Sequence, residues 1–251
     1  MTRALWIELS VLTLLAAVLA AAVPIQAGVW AWSWDALNHH VYLGLIAQSP
    51  RWHLDLLAAN SQGYQYPYLY WPIYLLTTLP LTGVQAGALW SAFQAAMLLP
   101  PVWLASLYLI PEQGVRAQAV FQRLAACALA GSSIVVMAAV GTTSNDPMAA
   151  VPLIWAVAIM ARPQPSDRRA GAAAALWGVG TAFKLSNGLA LPLLLFWWWQ
   201  AQRPHLTLRR AACIAVAALV GFVVAYAPWG WQLWRVKGNP FFPMFTGIFG
   251  N

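Results

Sequence analysis

Long apolar blocks decide what this chain can fold into. The first, Leu5 to Ile25, follows Arg3 and is about 20 residues long, enough to cross a hydrocarbon core of roughly 30 Å at 1.5 Å per residue. A cleaved signal peptide has a shorter core, so this block reads as an uncleaved anchor. Further blocks run at about Ala86 to Ile110, Ala119 to Val140, Pro147 to Ala161, Ala170 to Ala182, Gly188 to Gln200 and Ala211 to Trp229, which predicts seven crossings. Only 8% of the 251 residues are charged and 61% are hydrophobic, against about 25% charged in a soluble domain. No water-soluble surface can be built from so few charges. The blocks are continuous, not alternating, and so point to helices instead of an outer-membrane barrel. The expected fold is all-α: one polytopic transmembrane helical bundle over residues 1–251.

The loops set the orientation. Nine basic residues (Arg3, Arg116, Arg123, Arg162, Arg168, Arg169, Arg203, Arg209 and Arg210) fall on one side, and four (Arg51, Lys184, Arg235 and Lys237) on the other. The positive-inside rule then predicts a cytoplasmic N-terminus and a chain that ends outside, in a cell (inner) membrane. Scattered in short loops, these residues form no patch for nucleic acid despite the net charge of +7. Ala170 to Gln200 lies between two basic loops and must cross twice, in limbs of about 15 residues that reach only roughly 22 Å. Sixteen Trp and eight Tyr crowd the block ends, as in Trp30, Trp32, Trp34, Trp197, Trp198, Trp199, Trp229, Trp231 and Trp234, and read as interface anchors first, sugar-stacking platforms second. Cys127 and Cys213 sit in apolar stretches without metal-ligand spacing and read as packing residues.

One external loop, about residues 28–85, is too apolar for a linker and too long for a plain connection. In it, WDALNHHVYLGLIAQ puts Leu37, Val41, Leu45 and then Ala47 or Gln48 near one helical face, which predicts a helix lying in the interface. YPYLYWPIYLLTTLP, with three prolines, predicts a half-inserted surface helix.

Three carboxylates are external: Asp35, Asp55 and Asp146. Asp35 follows the first helix and Asp146 heads the fourth block, so both sit at the outer boundary of the bundle, where one can serve as general base and the other as metal or substrate ligand. The plainer alternatives are an exposed helix cap for Asp35 and a helix start for Asn145-Asp146-Pro147. Lys184 interrupts an apolar run, where a buried ammonium costs on the order of 3 kcal/mol and calls for compensation. A phosphate is a natural partner; snorkelling to headgroups is the alternative. His39, His40 and His53 offer metal binding or proton shuttling, although adjacent helical side chains diverge by about 100° and do not readily share one ion. Arg235 and Lys237, in WRVKGNPFFP, either snorkel or contact an anionic substrate.

SWDALNHHVYLGLIAQ after the first helix, YPYLYWPIYLL later in the same loop, TSNDPMAAVPLIWAVAIMAR and GVGTAFKLSNGLALPLLL span most of Met1 to Gln200. In this order the chain resembles the C-type superfamily of integral membrane glycosyltransferases, which includes protein O-mannosyltransferases and aminoarabinose-lipid transferases. The resemblance implies transfer of a sugar from a polyprenyl-phosphate or polyprenyl-diphosphate carrier to an acceptor on the extracytoplasmic face, with inversion at the anomeric carbon. It implies Asp35 as catalytic base, Lys184 set against the donor phosphate, and Asp146 in contact with substrate or a divalent metal ion. His39, His40 and Arg235 stand beside them as candidate substrate contacts. Ala36 follows Asp35 where the mannosyltransferase branch carries an Asp-Glu pair, so the particular sugar is left open. The same residues also suit a non-catalytic scaffold or a carrier of lipid-linked intermediates, which needs the lysine but no base. Secondary transport is disfavoured by the scarcity of acidic residues in the blocks and the lack of an inverted repeat.

Overall fold

The computed structural model describes residues 1–30, 33–55, 58–110, 115–163, 166–192, 195–196, 199 and 207–249. Among them the chain is helical, with no strand. Helix α1 (Arg3–Ala27) starts where the Thr2 hydroxyl accepts from the Leu5 amide and stops at Gly28, whose φ of 70° is left-handed. A reciprocal Thr82–Gln85 capping box opens α4 (Gly83–Leu109). Proline in the first turn opens α7 (Asp146–Met160), and Ser166 and Thr207 cap α8 (Asp167–Phe183) and α9 (Leu208–Lys237). The long helices pack in series, α1 on α4, α4 on α7, α7 on α8 and α8 on α9.

The last of these contacts is the closest. A Cβ on Gly178 would lie 2.0 Å from the Ala218 carbonyl oxygen, and one on Gly221 would lie 2.0 Å from that of Ala175. Small residues thus let two backbones touch, the usual solution where lipid removes any hydrophobic drive between helices.

Among the described residues three helices, α1, α4 and α9, are long and apolar enough to cross a membrane; α7 is apolar but shorter. Three of the seven expected crossings thus reach the length of a full span, while the others are shorter helices or lie partly outside the described residues. The block Ala119 to Val140 breaks at Ser132–Ser133 into α5 (Arg116–Gly131) and α6 (Ile134–Ala139). Serines that bond to nearby backbone stop a helix more readily than they continue one. Arg123, counted above as a loop charge, is inside α5 and buried beside Ala119 and Cys127. The expected limb Gly188 to Gln200 begins within a short 3-10 turn, Leu185–Ala190, and part of it lies outside the described residues, as do Trp32, Trp197, Trp198 and Arg203.

The tryptophans divide. Trp34, Trp231 and Trp234 are exposed, as anchors should be, but Trp30 and Trp229 are fully buried. Trp30 lies against Gly87 of α4, and Trp229 donates its indole N–H to the Tyr64 carbonyl at 3.1 Å. Block-end position alone cannot tell a headgroup anchor from a ring that seals the bundle.

The long loop is folded. After a π-helical turn, Ala36–His40, it continues as α2 (Val41–Gln48), a 3-10 turn at Asn60–Tyr64 and α3 (Trp71–Thr78). The buried face of this segment is Ala36, His39, His40, Leu43, Gly44 and Ile46, while Leu37 points outward. At Gly44 a Cβ would sit 2.5 Å from the Tyr70 carbonyl, which fixes α2 against α3.

Candidate functional site

The turn before α7 is anchored by three hydrogen bonds, two with α4 and one with the long loop. Gln94 of α4 donates to the Ser144 carbonyl at 2.8 Å, the Gly141 amide donates to the Ser91 hydroxyl at 3.1 Å, and the buried Thr143 hydroxyl shares a 2.8 Å hydrogen bond with His40 Nδ1. Gly141, at φ 77°, makes the left-handed bend this path requires. Asp146 is thereby presented at the head of α7. Asn145 makes no side-chain cap bond, so the acidic residue itself supplies the favourable charge in the first turn.

Lys184 arrives from the other direction. It is the residue at which α8 ends, not one in a helix centre, and its backbone is extended. Asn187 holds this end down by donating to the carbonyls of Ala149 (3.1 Å) and Gly180 (2.9 Å). The Lys184 ammonium makes an ion pair with Asp146. The compensation that the sequence demanded of a phosphate is therefore met by a carboxylate of the chain. Both side chains remain about half exposed, at 44% and 47%.

Asp35 precedes the π-helical turn with a side chain 54% exposed, and its carboxylate lies 3.9 Å from His39 Nδ1 across one helical turn. His40, one residue on, stacks on Tyr70 at 4.7 Å between ring centres. Burial pushes the His40 imidazole down to about 4, reinforced by His39 and only partly opposed by the carboxylates of Asp35 and Asp146. His39 is lowered by burial and partly restored by Asp35. Burial raises the Tyr70 phenol, and Asp146 and Asp35 raise it further. The charges of Asp35, Asp146 and Lys184 all reach His40. Asp35 touches this buried pair of rings through His39, while Asp146 and Lys184 act on it by charge alone.

A cavity of about 250 Å³ opens beside the pair. Lys184, Tyr70, Asn145 and Ser186 line it together with Tyr64 and Tyr66 from the long loop and Phe241 to Met244 from beyond α9. Of the residues expected at the site only Lys184 lines it: Asp35 and Asp146 do not, and His39 and His40 are buried behind its Tyr70 wall. Arg235 lies elsewhere, in a separate groove with His53 and Trp52. The tyrosines and the segment after α9 were not singled out above as site residues. The alternation Tyr64, Tyr66, Tyr68, Tyr70 was the available signal for the former.

An apolar groove of about 460 Å³ runs along α7, α8 and α9. Thr181 and Phe222 line it at the end nearest Lys184, and Phe222 stacks on Tyr226 of the cavity wall at 5.1 Å. Among the described residues no three His, Cys, Asp or Glu side chains gather to hold a metal ion, and the Asp146 carboxylate is engaged by Lys184. A protein-only metal centre on Asp146 does not fit this donor set. Compared with known proteins, the chain matches no family model, no curated protein and no solved structure.

Proposed function

We propose that this chain transfers a sugar from a polyprenyl-phosphate-linked donor to an acceptor hydroxyl, with the site on the extracytoplasmic face and the N-terminus in the cytoplasm. The observation that carries the reading is the Lys184–Asp146 pair at a cavity that Tyr70 also lines, with Asp35 reaching the same end of the bundle through His39, beside the His40 ring stacked on Tyr70. Lys184 lines a cavity of a size suited to a sugar phosphate, and the apolar groove that approaches it suits an isoprenoid chain beside the helices.

In this scheme the donor phosphate takes the place of Asp146 as the partner of Lys184. Asp35 accepts the proton of the acceptor hydroxyl, and that oxygen attacks the anomeric carbon from the face opposite the phosphate. The bond from the anomeric carbon to the phosphate oxygen breaks, and polyprenyl phosphate leaves with a negative charge that Lys184 stabilises. His40, kept neutral by burial, adds no second positive charge to repel the Lys184 ammonium.

The test is sugar transfer by the full chain in liposomes supplied with a polyprenyl-phosphate-linked sugar. Loss of a general base lowers turnover by about 100-fold or more, so Asp35→Asn is expected to retain donor binding and lose transfer on that scale. Unchanged turnover would reject Asp35 as the base. Tight, Lys184-dependent donor binding with no transfer by the unaltered chain would favour the carrier reading, which the exposed Lys184–Asp146 pair also suits.

A further inference from the structure

A second concavity at the same end of the bundle is independent of the Lys184 cavity. It encloses about 530 Å³ between the long loop and the last turns of α9, and is lined by Pro50, Trp52, His53, Gln232, Arg235 and Val236. Four lysine and arginine side chains belong to this end. Arg51 pairs with Asp55 at 3.1 Å, Lys184 pairs with Asp146, and Lys237 sits 5.2 Å from the ring centres of both Tyr64 and Phe242. Arg235 has no such partner among the described residues and faces the groove. A guanidinium left unpaired over a concave surface is a ready anion receptor, and its fork matches phosphate or carboxylate geometry.

The wall adds a second requirement. The indole N–H of Trp52 and the side-chain carbonyl of Gln232 are both buried without a hydrogen-bond partner, although the Gln232 amide nitrogen does donate to Tyr68 at 3.4 Å. One wall therefore holds an orphan donor and an orphan acceptor, each costly to leave unmet. A hydroxyl can satisfy both kinds of group, since it donates and accepts. Trp52 in turn packs on Trp229 at 5.1 Å and on Tyr64 at 6.5 Å, and Tyr64 lines the Lys184 cavity. The two concavities stand on opposite sides of a shared aromatic partition.

We infer that the Arg235 groove is a second binding site, selective for an anionic group that carries hydroxyls, such as a glycerol phosphate or sugar phosphate, free or as a lipid headgroup. That its occupant is the acceptor of the transfer rests on the function proposed above; the site itself does not.

The test uses the full chain in phosphatidylcholine nanodiscs, titrated with glycerol 1-phosphate by calorimetry, and in parallel nanodiscs containing phosphatidylglycerol, scored by lipid retained on purification. Binding of at least one probe is expected. Arg235→Gln should weaken it about tenfold or more, the loss of one charge-assisted contact, while Arg235→Lys, which keeps the charge and loses the fork, should weaken it less. Trp52→Phe, which removes the indole N–H and part of the ring system but keeps an aromatic side chain, should weaken binding by a few-fold and serves if Arg235→Gln does not fold. Glycerol phosphate binding identifies a soluble source, and retention of the lipid alone identifies a bilayer source. Failure of both probes to bind, or binding unaffected by Arg235→Gln and Trp52→Phe, would overturn the site. Binding that survives in a chain without any sugar transfer would remove the acceptor role and leave the site standing.

Discussion

The two ends of the bundle each carry an ion pair, and the pairs differ in kind. At one end Arg123 grips Glu8 through Nε at 2.7 Å and a terminal nitrogen at 2.8 Å, while Trp103 donates to the same carboxylate at 2.9 Å. The side chains are 4% and 15% exposed, and the pair joins α1, α4 and α5. At the other end Lys184 and Asp146 meet half exposed beside a cavity. A buried, fully partnered pair cannot lose a member without leaving a bare charge in a dry site. A half-exposed lysine can exchange a carboxylate for a phosphate because water covers the transition. The first arrangement is a clamp and the second a grip that can open.

The largest effect should come from breaking the clamp. Glu8→Ala strands the Arg123 guanidinium and is expected to cost about 3–5 kcal/mol, visible as a large fall in thermal stability in detergent. Replacing both partners, Glu8→Ala with Arg123→Leu, should recover much of it. A loss no larger than that of an exposed substitution would show that the pair is not a clamp.

A smaller effect belongs to the open end and depends on pH. His40 titrates near 4 in the folded chain and near 6.5 when unfolded. Between these values the unfolded chain binds a proton that the folded chain does not. Stability is therefore full above about pH 6.5 and declines as pH falls toward about 4, by up to about 3 kcal/mol. The groups facing His40 are His39, Asp35, Asp146, Lys184, Tyr70 and Thr143. His40→Gln should flatten that decline in a pH series of unfolding temperatures; an unchanged slope would mean that the imidazole is not the group being titrated.

The open end was legible in the sequence because charge is rare there. Lys184, Asp146 and Asp35 stand out against apolar runs, and the positive-inside count grouped them on one side. The clamp is hidden for the opposite reason: Glu8 is a single carboxylate inside the first apolar block, and Arg123 counts as a loop charge by position. Their contact spans 115 positions in the chain, so no local pattern announces it. A lone carboxylate in an apolar block was nonetheless a signal that a partner should be sought. The long apolar blocks located α1, α4, α7 and α9 well, but apolarity could not reveal the break at Ser132–Ser133 or the burial of Trp30 and Trp229. The Phe241–Met244 stretch reaches the cavity only through long-range packing, such as the Tyr226 hydroxyl on the Pro240 carbonyl at 3.1 Å.

The smallest stability effect, and the sharpest contrast, is expected at Lys184. An exposed pair contributes at most about 1 kcal/mol, so Lys184→Ala should unfold within a few degrees of the unaltered chain. The decisive measurement is the affinity of that variant for polyprenyl phosphate, taken alongside its unfolding temperature. Affinity reduced about tenfold or more with stability intact is what a displaceable grip on phosphate predicts. Stability lost on the scale of Glu8→Ala, with affinity of the folded fraction unchanged, would make the Lys184–Asp146 pair a second clamp and contradict the account.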